Sequence, residues 1–515
     1  MPGCSVAHNG RHPLGAVDRL AAQHPTELAR QRCGLLLIGA LGLLGNGARA
    51  EPLTNPDASL PATGLLEQRL EASALEAEAL RKQLNPLQER TAALEATRFS
   101  PTTRLHGTVR TVLGGLDYKG SGLSAWQGDS PLPPLPEAAT FNVDLRLNLD
   151  TSFSGADLLR LQLRGTTFSE GPWGRPPTIV STLASSFGGK PEGQLELYRA
   201  YYRLPLSSSL SFTAGARLDQ YDLLPLFPNS QAADRILAFF QLNGAVGAYN
   251  LASGWGAGLS WRQRPKGQPG LVLGAGYLQS NSSLPSGRPS DAILPPQASS
   301  TSVQLGYVGS GWSLTAIYSR NSQGTLIGGT QLQLQLNPSD APGNAGWSDA
   351  LGLSFNWQPR GSRWLPAMVL GAGLNQFTYP SQRGPGGPVP AASAQSLSWS
   401  STFQWAMVPW PNTTLGLGIG QPTFITRADG ALLQRRAPAA LGDDGRYAGG
   451  DGKSLAIELY LKTVLTDHIT ITPTIIWLQQ PRGLLTPERT GGGTISFRGG
   501  LLNGLALLVQ ATFRF

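Results

Sequence analysis

At 515 residues, with 14% charged and 40% hydrophobic residues and a mean hydropathy of -0.12, this chain fits neither an ordinary soluble domain nor a helical membrane protein. Soluble proteins carry about a quarter charged residues, and a helical span needs roughly 18 or more consecutive apolar residues, a run this sequence lacks. Low charge without apolar blocks points instead to apolar residues spread at every second position, as in strands with one face to lipid and the other to water.

Arg30 and Arg32 precede an apolar run, Cys33–Gly45, and Ala48-Arg49-Ala50 supplies a small-x-small cleavage site. This is the layout of a secretory signal over residues 1–50. The basic flank lies far from Met1, which leaves a true start within 1–30 as an open alternative. Cleavage removes five basic and two acidic residues, taking the net charge from +8 to +5, and both cysteines, Cys4 and Cys33. The mature chain then has no disulfide, no thiolate metal site and no cysteine nucleophile.

Residues 51–64 read as a Pro-containing linker. Over 65–97 the period becomes helical, with Leu66, Leu70, Ser73, Ala77, Leu80, Leu84, Leu87, Thr91 and Leu94 in an a/d seam. Pro86 interrupts it, but Asn85 can cap a new start and Pro suits the first helical position, so two helices are expected, 65–84 and 86–97. The thin seam favours a trimeric periplasmic coiled coil; the alternative is an amphipathic helix lying against the base of a barrel.

From Phe99 the period is two. Strands are expected near 104–113, 139–153, 158–167, 194–205, 208–218, 253–263, 269–279, 301–309, 311–320, 350–358, 364–377, 394–408, 412–421, 452–464, 467–478 and 503–515. Long and short connections alternate between them. That is the parity of an all-β fold, a 16-stranded antiparallel transmembrane β-barrel over 98–515. Gly244–Leu251 also alternates, but a seventeenth strand would break the parity, so it is assigned to the third loop. In the last strand, Leu505, Leu507, Val509, Ala511, Phe513 and Phe515 share one face. Gln510, Thr512 and Arg514 share the other, with Ala506 and Leu508 as apolar exceptions. Trp312, Trp357, Trp364, Phe377, Trp405, Trp410 and Trp477 lie toward strand ends, as interfacial girdles require.

Little points to catalysis. The mature chain has two histidines, His106 and His468, far apart, with no Gly-x-Ser-x-Gly elbow and no His-Glu-x-x-His spacing. No enzyme activity, cofactor, metal or nucleic-acid partner is expected. The lumen face says more. Arg104, Arg110, Arg146, Arg160, Arg164 and Arg217 share it with Asp144, Asp150, Glu196 and Asp219, the expected pore-lining charges. Excess arginine in a pore raises local anion concentration; alternatively these arginines pair with the acids and stiffen the wall. Arg199 and Arg203 share the face of Leu195 and Leu197, so a bulge or a periplasmic position is needed there. The third loop, 219–252, carries Asp219, Tyr221, Asp222, Asp234 and Arg235 among aromatics. It is the expected constriction if folded inward, or an external loop if not.

The stretch Arg98-Phe-Ser-Pro-Thr-Thr-Arg-Leu-His-Gly107 after a short coil resembles the coil-to-barrel junction of cyanobacterial outer-membrane porins of the carbohydrate-selective, OprB-type family, also described as iron uptake porins. Ala214-Gly-Ala-Arg-Leu-Asp-Gln-Tyr-Asp-Leu-Leu-Pro-Leu-Phe-Pro-Asn229 is similar to the segment leading into that family's third loop. The resemblance covers about 65–515. It implies a passive, homotrimeric diffusion channel in the outer-membrane lipids for sugars or inorganic ions, with Phe515 as the signal read by barrel-assembly machinery. Many such porins carry an S-layer-homology domain before the coil. This chain has only Glu51–Gly64 there, which counts against wall anchoring by such a domain; a structural envelope role, with cell-wall contact through the coil, is the alternative function.

Overall fold

A computed structural model describes residues 76, 78, 82 and 102–515, except 124–138, 169–172, 174–178, 187–193, 251, 281–297, 323, 339–344, 360–363, 385–386, 487, 490–494 and 498. The chain divides into two units, Met1–Thr91 and Ala92–Phe515. In the first, Glu76, Glu78 and Lys82 are helical and exposed, and Lys82 Nζ lies 3.2 Å from Glu78 one turn away. The signal, the linker, the heptad seam and the break at Pro86 lie outside the described residues.

The second unit contains a closed barrel of sixteen strands, each paired antiparallel with its sequence neighbours. They are β1 Thr103–Lys119, β2 Thr140–Thr151, β3 Leu158–Thr166, β4 Glu196–Pro205, β5 Leu210–Asp219, β6 Ser253–Arg262, β7 Gly270–Ser280 and β8 Ser299–Val308. Then follow β9 Trp312–Ser322, β10 Trp347–Trp357, β11 Ala367–Tyr379, β12 Ala392–Ala406, β13 Thr413–Ala428, β14 Leu455–Thr466, β15 Ile469–Gln479 and β16 Asn503–Arg514. All sixteen fall where alternation places them. Gly244–Asn250 is not strand.

Two strands run further than expected. β1 continues through Gly114-Gly115 to Lys119, because Leu116 and Tyr118 keep the inward alternation of Val112 and pair with β16. The close approach of the two strands needs glycine: a Cβ at Gly114 would sit 2.4 Å from the Leu507 carbonyl oxygen. β13 continues past Pro422 to Ala428. The proline, having no N–H for the ladder, falls at a shift in register between Leu397 and Trp399 of β12, after which pairing resumes.

The outer face is apolar. Leu505, Leu507, Val509 and Phe513 of β16 are exposed outward, as are Leu105 and Leu113 of β1 and Phe141 of β2. A closed barrel leaves no free edge, so this surface can face hydrocarbon. Trp312, Trp364 and Trp410 are exposed at strand ends. Phe377 corrects the expected girdle: it is fully buried inside the barrel. It lies two residues from inward-facing Asn375, and the alternation of β11 carries it inward as well. The apolar exceptions of β16 are explained likewise. Ala506 and Leu508 join Val112, Leu116, Ile476 and Leu478 in a cluster that loop residues cover from within.

Candidate functional site

The third loop occupies the bore. At the end of β5, Asp219 N–H donates to Asp222 Oδ2 (2.9 Å), and this local turn starts the short helix α1, Gln220–Leu223. The loop then crosses the lumen. Gln220 Nε2 donates to Ser302 of β8 (2.5 Å) and Ser319 of β9 (3.1 Å), and Asn243 Nδ2 donates to Ser354 of β10 (3.0 Å). Ser398 of β12 donates to the Gly244 carbonyl (2.5 Å), and Asn250 Nδ2 donates to Ser300 (2.7 Å) on the way back. Around a second helix, α2 Ala238–Gln241, the residues Ile236, Leu237, Phe239, Phe240 and Leu242 are buried.

Two charged anchors fix the crossing. Glu458 of β14 accepts from Ile236 N (3.1 Å) and Leu237 N (2.6 Å), and Arg235 Nη1 lies 3.6 Å from Glu458 with both side chains fully buried. Asp234 Oδ1 meets Lys462 Nζ at 2.7 Å, and Gln404 donates to Asp234 Oδ2 at 3.1 Å. The second loop joins in: Ala184 N donates to Ile236 O (2.7 Å) and Ala238 N to Thr182 O (3.0 Å). An uncompensated charge buried this way costs several kcal/mol, so the pairing of Arg235 with Glu458 is a condition for the loop lying inside.

Opposite the loop stands a wall of arginines on β1–β5. Asp144 is buried beneath three guanidinium groups: Arg164 Nε at 2.6 Å, Arg146 Nε at 2.8 Å and Arg110 Nη1 at 3.9 Å. Arg160 makes a two-pronged bond to Asp150 (2.7 and 2.6 Å), with His106 Nε2 3.7 Å from the same carboxylate. Arg217 lies 3.4 Å from Glu196. Arg104 is exposed at the rim where the short turns lie. The arginines divide by access to water. Arg110 (26%), Arg146 (20%), Arg160 (27%) and Arg217 (26%) keep side-chain exposure, whereas Arg164 (0%) and Arg199 (9%) do not.

Arg199 reaches this wall through a bulge. In the β3–β4 register Gln162 opposes Arg199 and Leu163 opposes Leu197, so Tyr198 is the extra residue. The side chain of Arg199 then turns inward to Asp219, Asp222 (2.9 Å) and the Tyr221 hydroxyl. Arg203 also bonds inward, to the Asp222 carbonyl at 2.8 Å. The Tyr198 ring lies under three guanidinium carbons, those of Arg164 (4.8 Å), Arg199 (5.4 Å) and Arg146 (5.8 Å), a cation–π arrangement that holds like charges together.

Between wall and loop lies a cavity of about 310 Å³, lined among others by Arg146, Tyr198, Arg199, Asp219, Tyr221 and Phe227. Of the expected constriction residues, Asp219 and Tyr221 line this cavity. Asp222 lies behind them on Arg199, Asp234 is held by Lys462, and Arg235 is buried against the wall. Sequence reasoning missed Tyr198 and Glu458. Glu458 had a usable signal, an acid in the lumen register among Ile457 and Leu459. Tyr198 had one as well, since it lies two residues from Glu196 on the lumen face; what alternation could not show is that the bulge brings Arg199 in beside it.

The sequence profile of the carbohydrate-selective porin, OprB family, matches residues 66–495. An uncharacterised protein of a Synechocystis species is 25% identical over 456 residues, covering 84% of this chain and 74% of the relative. One of a Nostoc species is 25% identical over 447 residues, covering 81% and 68%. The structure of Pseudomonas putida OprB at high pH has a TM-score of 0.50 at 14% identity, over 83% of this chain and 96% of that one, a likeness of fold. A closed barrel with an apolar exterior, and a family profile spanning most of the chain, lead to one conclusion: this chain belongs to the carbohydrate-selective, OprB family of outer-membrane porins.

Proposed function

We propose that this protein is a passive outer-membrane channel for small polar solutes, sugars or inorganic ions, with a mild preference for anions. The observation that carries the preference is the group of three guanidiniums, Arg110, Arg146 and Arg164, sharing the single carboxylate Asp144. Asp144 is already held by Arg164 at 2.6 Å and cannot neutralise Arg110 and Arg146 as well, and these two keep access to water. Excess fixed charge of one sign in a narrow, low-dielectric passage concentrates the opposite ion. The third loop serves as the constriction, with Asp219 and Tyr221 offering acceptors and an aromatic edge to a passing hydroxylated solute. The working form is a homotrimer, with residues 65–97 as a periplasmic coil joining three copies, and Phe515 is the element that assembly machinery recognises.

The test is the reversal potential of purified protein in a planar bilayer under a salt gradient. A value displaced toward the anion supports the reading; a cation-selective value overturns the preference, and absence of conductance overturns the channel.

A further inference from the structure

The outer face of the barrel changes character in a single row of cross-strand partners. Thr301 of β8 pairs with Arg320 of β9, Arg320 with Asp349 of β10, and Asp349 with Gln376 of β11. Gln376 pairs in turn with Gln395 of β12, and Gln395 with Arg427 of β13. Each lies within three residues of the strand end from which a long loop leaves. Directly opposed residues share one face of a sheet. The next row on that face, toward the middle of the barrel, is Val303, Tyr318, Leu351, Leu374 and Leu397, every one exposed. The boundary between apolar and polar surface is thus one row deep. It is not a property of the whole rim: at the same end of β2 and β4, Phe141, Leu195 and Leu197 are exposed and apolar.

In such barrels the long loops lie outside the cell and the short turns in the periplasm, so this row stands at headgroup level in the outer leaflet. An outward arginine is costly at the bilayer midplane and nearly free at the interface. Arg320 has a side chain 52% exposed, resting over the Trp347 ring at 4.9 Å. Its pairing with Asp349 is loose at 3.6 Å, beyond hydrogen-bond distance, while the Tyr318 hydroxyl donates to the same Asp349 Oδ1 at 2.6 Å. Arg427 is exposed and has no ion-pair partner among the described residues. Two cations therefore share the row with one acid. We infer that this row is a docking surface for anionic lipid of the outer leaflet. The headgroup oxyanion lies on Arg320 or Arg427, where a guanidinium offers it charge-assisted hydrogen bonds. Gln376 and Gln395, between the two arginines, meet the uncharged, hydroxylated remainder of the headgroup, and the apolar row beneath receives the acyl chains. Four strand spacings separate the arginines, about 19 Å, so each takes its own lipid. These residues face away from the lumen, and the inference is independent of what the channel passes.

The experiment titrates the purified full chain in neutral detergent with dioleoylphosphatidylglycerol, or with dioleoylphosphatidylcholine, which has the same chains and no net charge. Bound lipids are counted by mass spectrometry of the intact protein. The unaltered protein should retain phosphatidylglycerol at a concentration at least about threefold below that needed for phosphatidylcholine. Arg320→Gln together with Arg427→Gln should bring the two lipids to parity, and each substitution alone should remove part of the preference. Arg264→Gln with Lys266→Gln takes two exposed cations from the turn between β6 and β7, at the other end of the barrel, and should leave the preference intact. Replacing chloride by inorganic phosphate at equal ionic strength should leave it intact as well. Parity in the unaltered protein overturns the inference, as does an equal loss of preference in the turn variant and the row variant. Displacement of the lipid by inorganic phosphate overturns it by marking a site for free oxyanions. A smaller oligomer in the row variant overturns it by making this face a contact between copies of the chain.

Discussion

The ring of Phe515 lies on the backbone of Gly107. The two residues exchange a pair of hydrogen bonds, Gly107 N to Phe515 O at 2.8 Å and Phe515 N to Gly107 O at 3.2 Å. A Cβ at Gly107 would fall 2.4 Å from the ring edge. Phe515 therefore extends the seam between β1 and β16 by one pair, and a side chain at Gly107 would have to push its exposed ring aside. Deleting Phe515 is expected to lower the yield of inserted barrel severalfold, and Gly107→Val to lower it less. Both should leave the reversal potential of inserted channels unchanged. The checks are the heat-resistant folded band in membranes and bilayer recording; altered selectivity would mean that the seam shapes the pore.

Arg146→Gln removes one of the three cations on Asp144 and leaves that carboxylate with two. The ratio of anion to cation permeability should fall about twofold, the scale expected when one fixed charge is removed from a lumen bearing several. Arg164→Gln should behave differently. Arg164 is fully buried and also donates to the Ser185 carbonyl at 2.7 Å, so its loss should chiefly lower the melting temperature and disturb the second loop. Salt-gradient potentials and thermal scans on the two variants separate these outcomes.

Glu458→Ala leaves the buried Arg235 without its counter-charge and the Ile236 and Leu237 amides without their acceptor. A loss of about 3–5 kcal/mol is expected, together with noisier, larger conductance as the third loop leaves the wall. Glu458→Gln, which keeps an acceptor, should lie between the two. Unchanged conductance noise in the alanine variant would show that the remaining bonds, such as those of Asn243 and Asn250, suffice.

Asp451 gives a pH dependence in the loops beyond the strands. It is fully buried and accepts from Thr330 Oγ1 (2.7 Å), Ile425 N (2.8 Å) and Leu484 N (3.1 Å), tying the fifth and eighth loops to the end of β13. Burial outweighs these bonds and pushes its carboxyl up from 3.8 to about 6. Because the closed form holds the proton more tightly than the open one, the protonated carboxyl favours closure. That contribution is complete below about pH 4 and is lost as pH rises through about 6. Up to roughly 3 kcal/mol of local stability is involved. Hydrogen exchange around Thr330 and Leu484, corrected for intrinsic rates, should therefore be slower at pH 4.5 than at pH 7.5 and flat above that. Protection that increases with pH would reverse the sign.

The barrel was legible because its cause is local. Lipid on one side and water on the other impose a period of two, and sixteen alternating segments with long and short connections leave one closed arrangement. Even the place where alternation fails was visible: Arg199 fell on the wrong face in sequence, and a bulge at Tyr198 returns it to the lumen. The extensions of β1 and β13 were hidden because Gly114 and Pro422 look like strand breakers, and only a neighbouring strand decides otherwise. The interior was less legible. Phe377, Ala506 and Leu508 are apolar residues in lumen positions, and alternation alone has no place for them. They are buried because loops fold back over them, and loop packing depends on contacts between residues far apart in the chain: Arg235 with Glu458, Gln220 with Ser302, Leu183 with Leu237. The residue pattern thus determined the wall, its two faces and the arginines upon it. The tertiary structure alone decided which arginines keep contact with water and which become struts, because burial and charge sharing exist only once the strands have closed and the third loop has crossed between them.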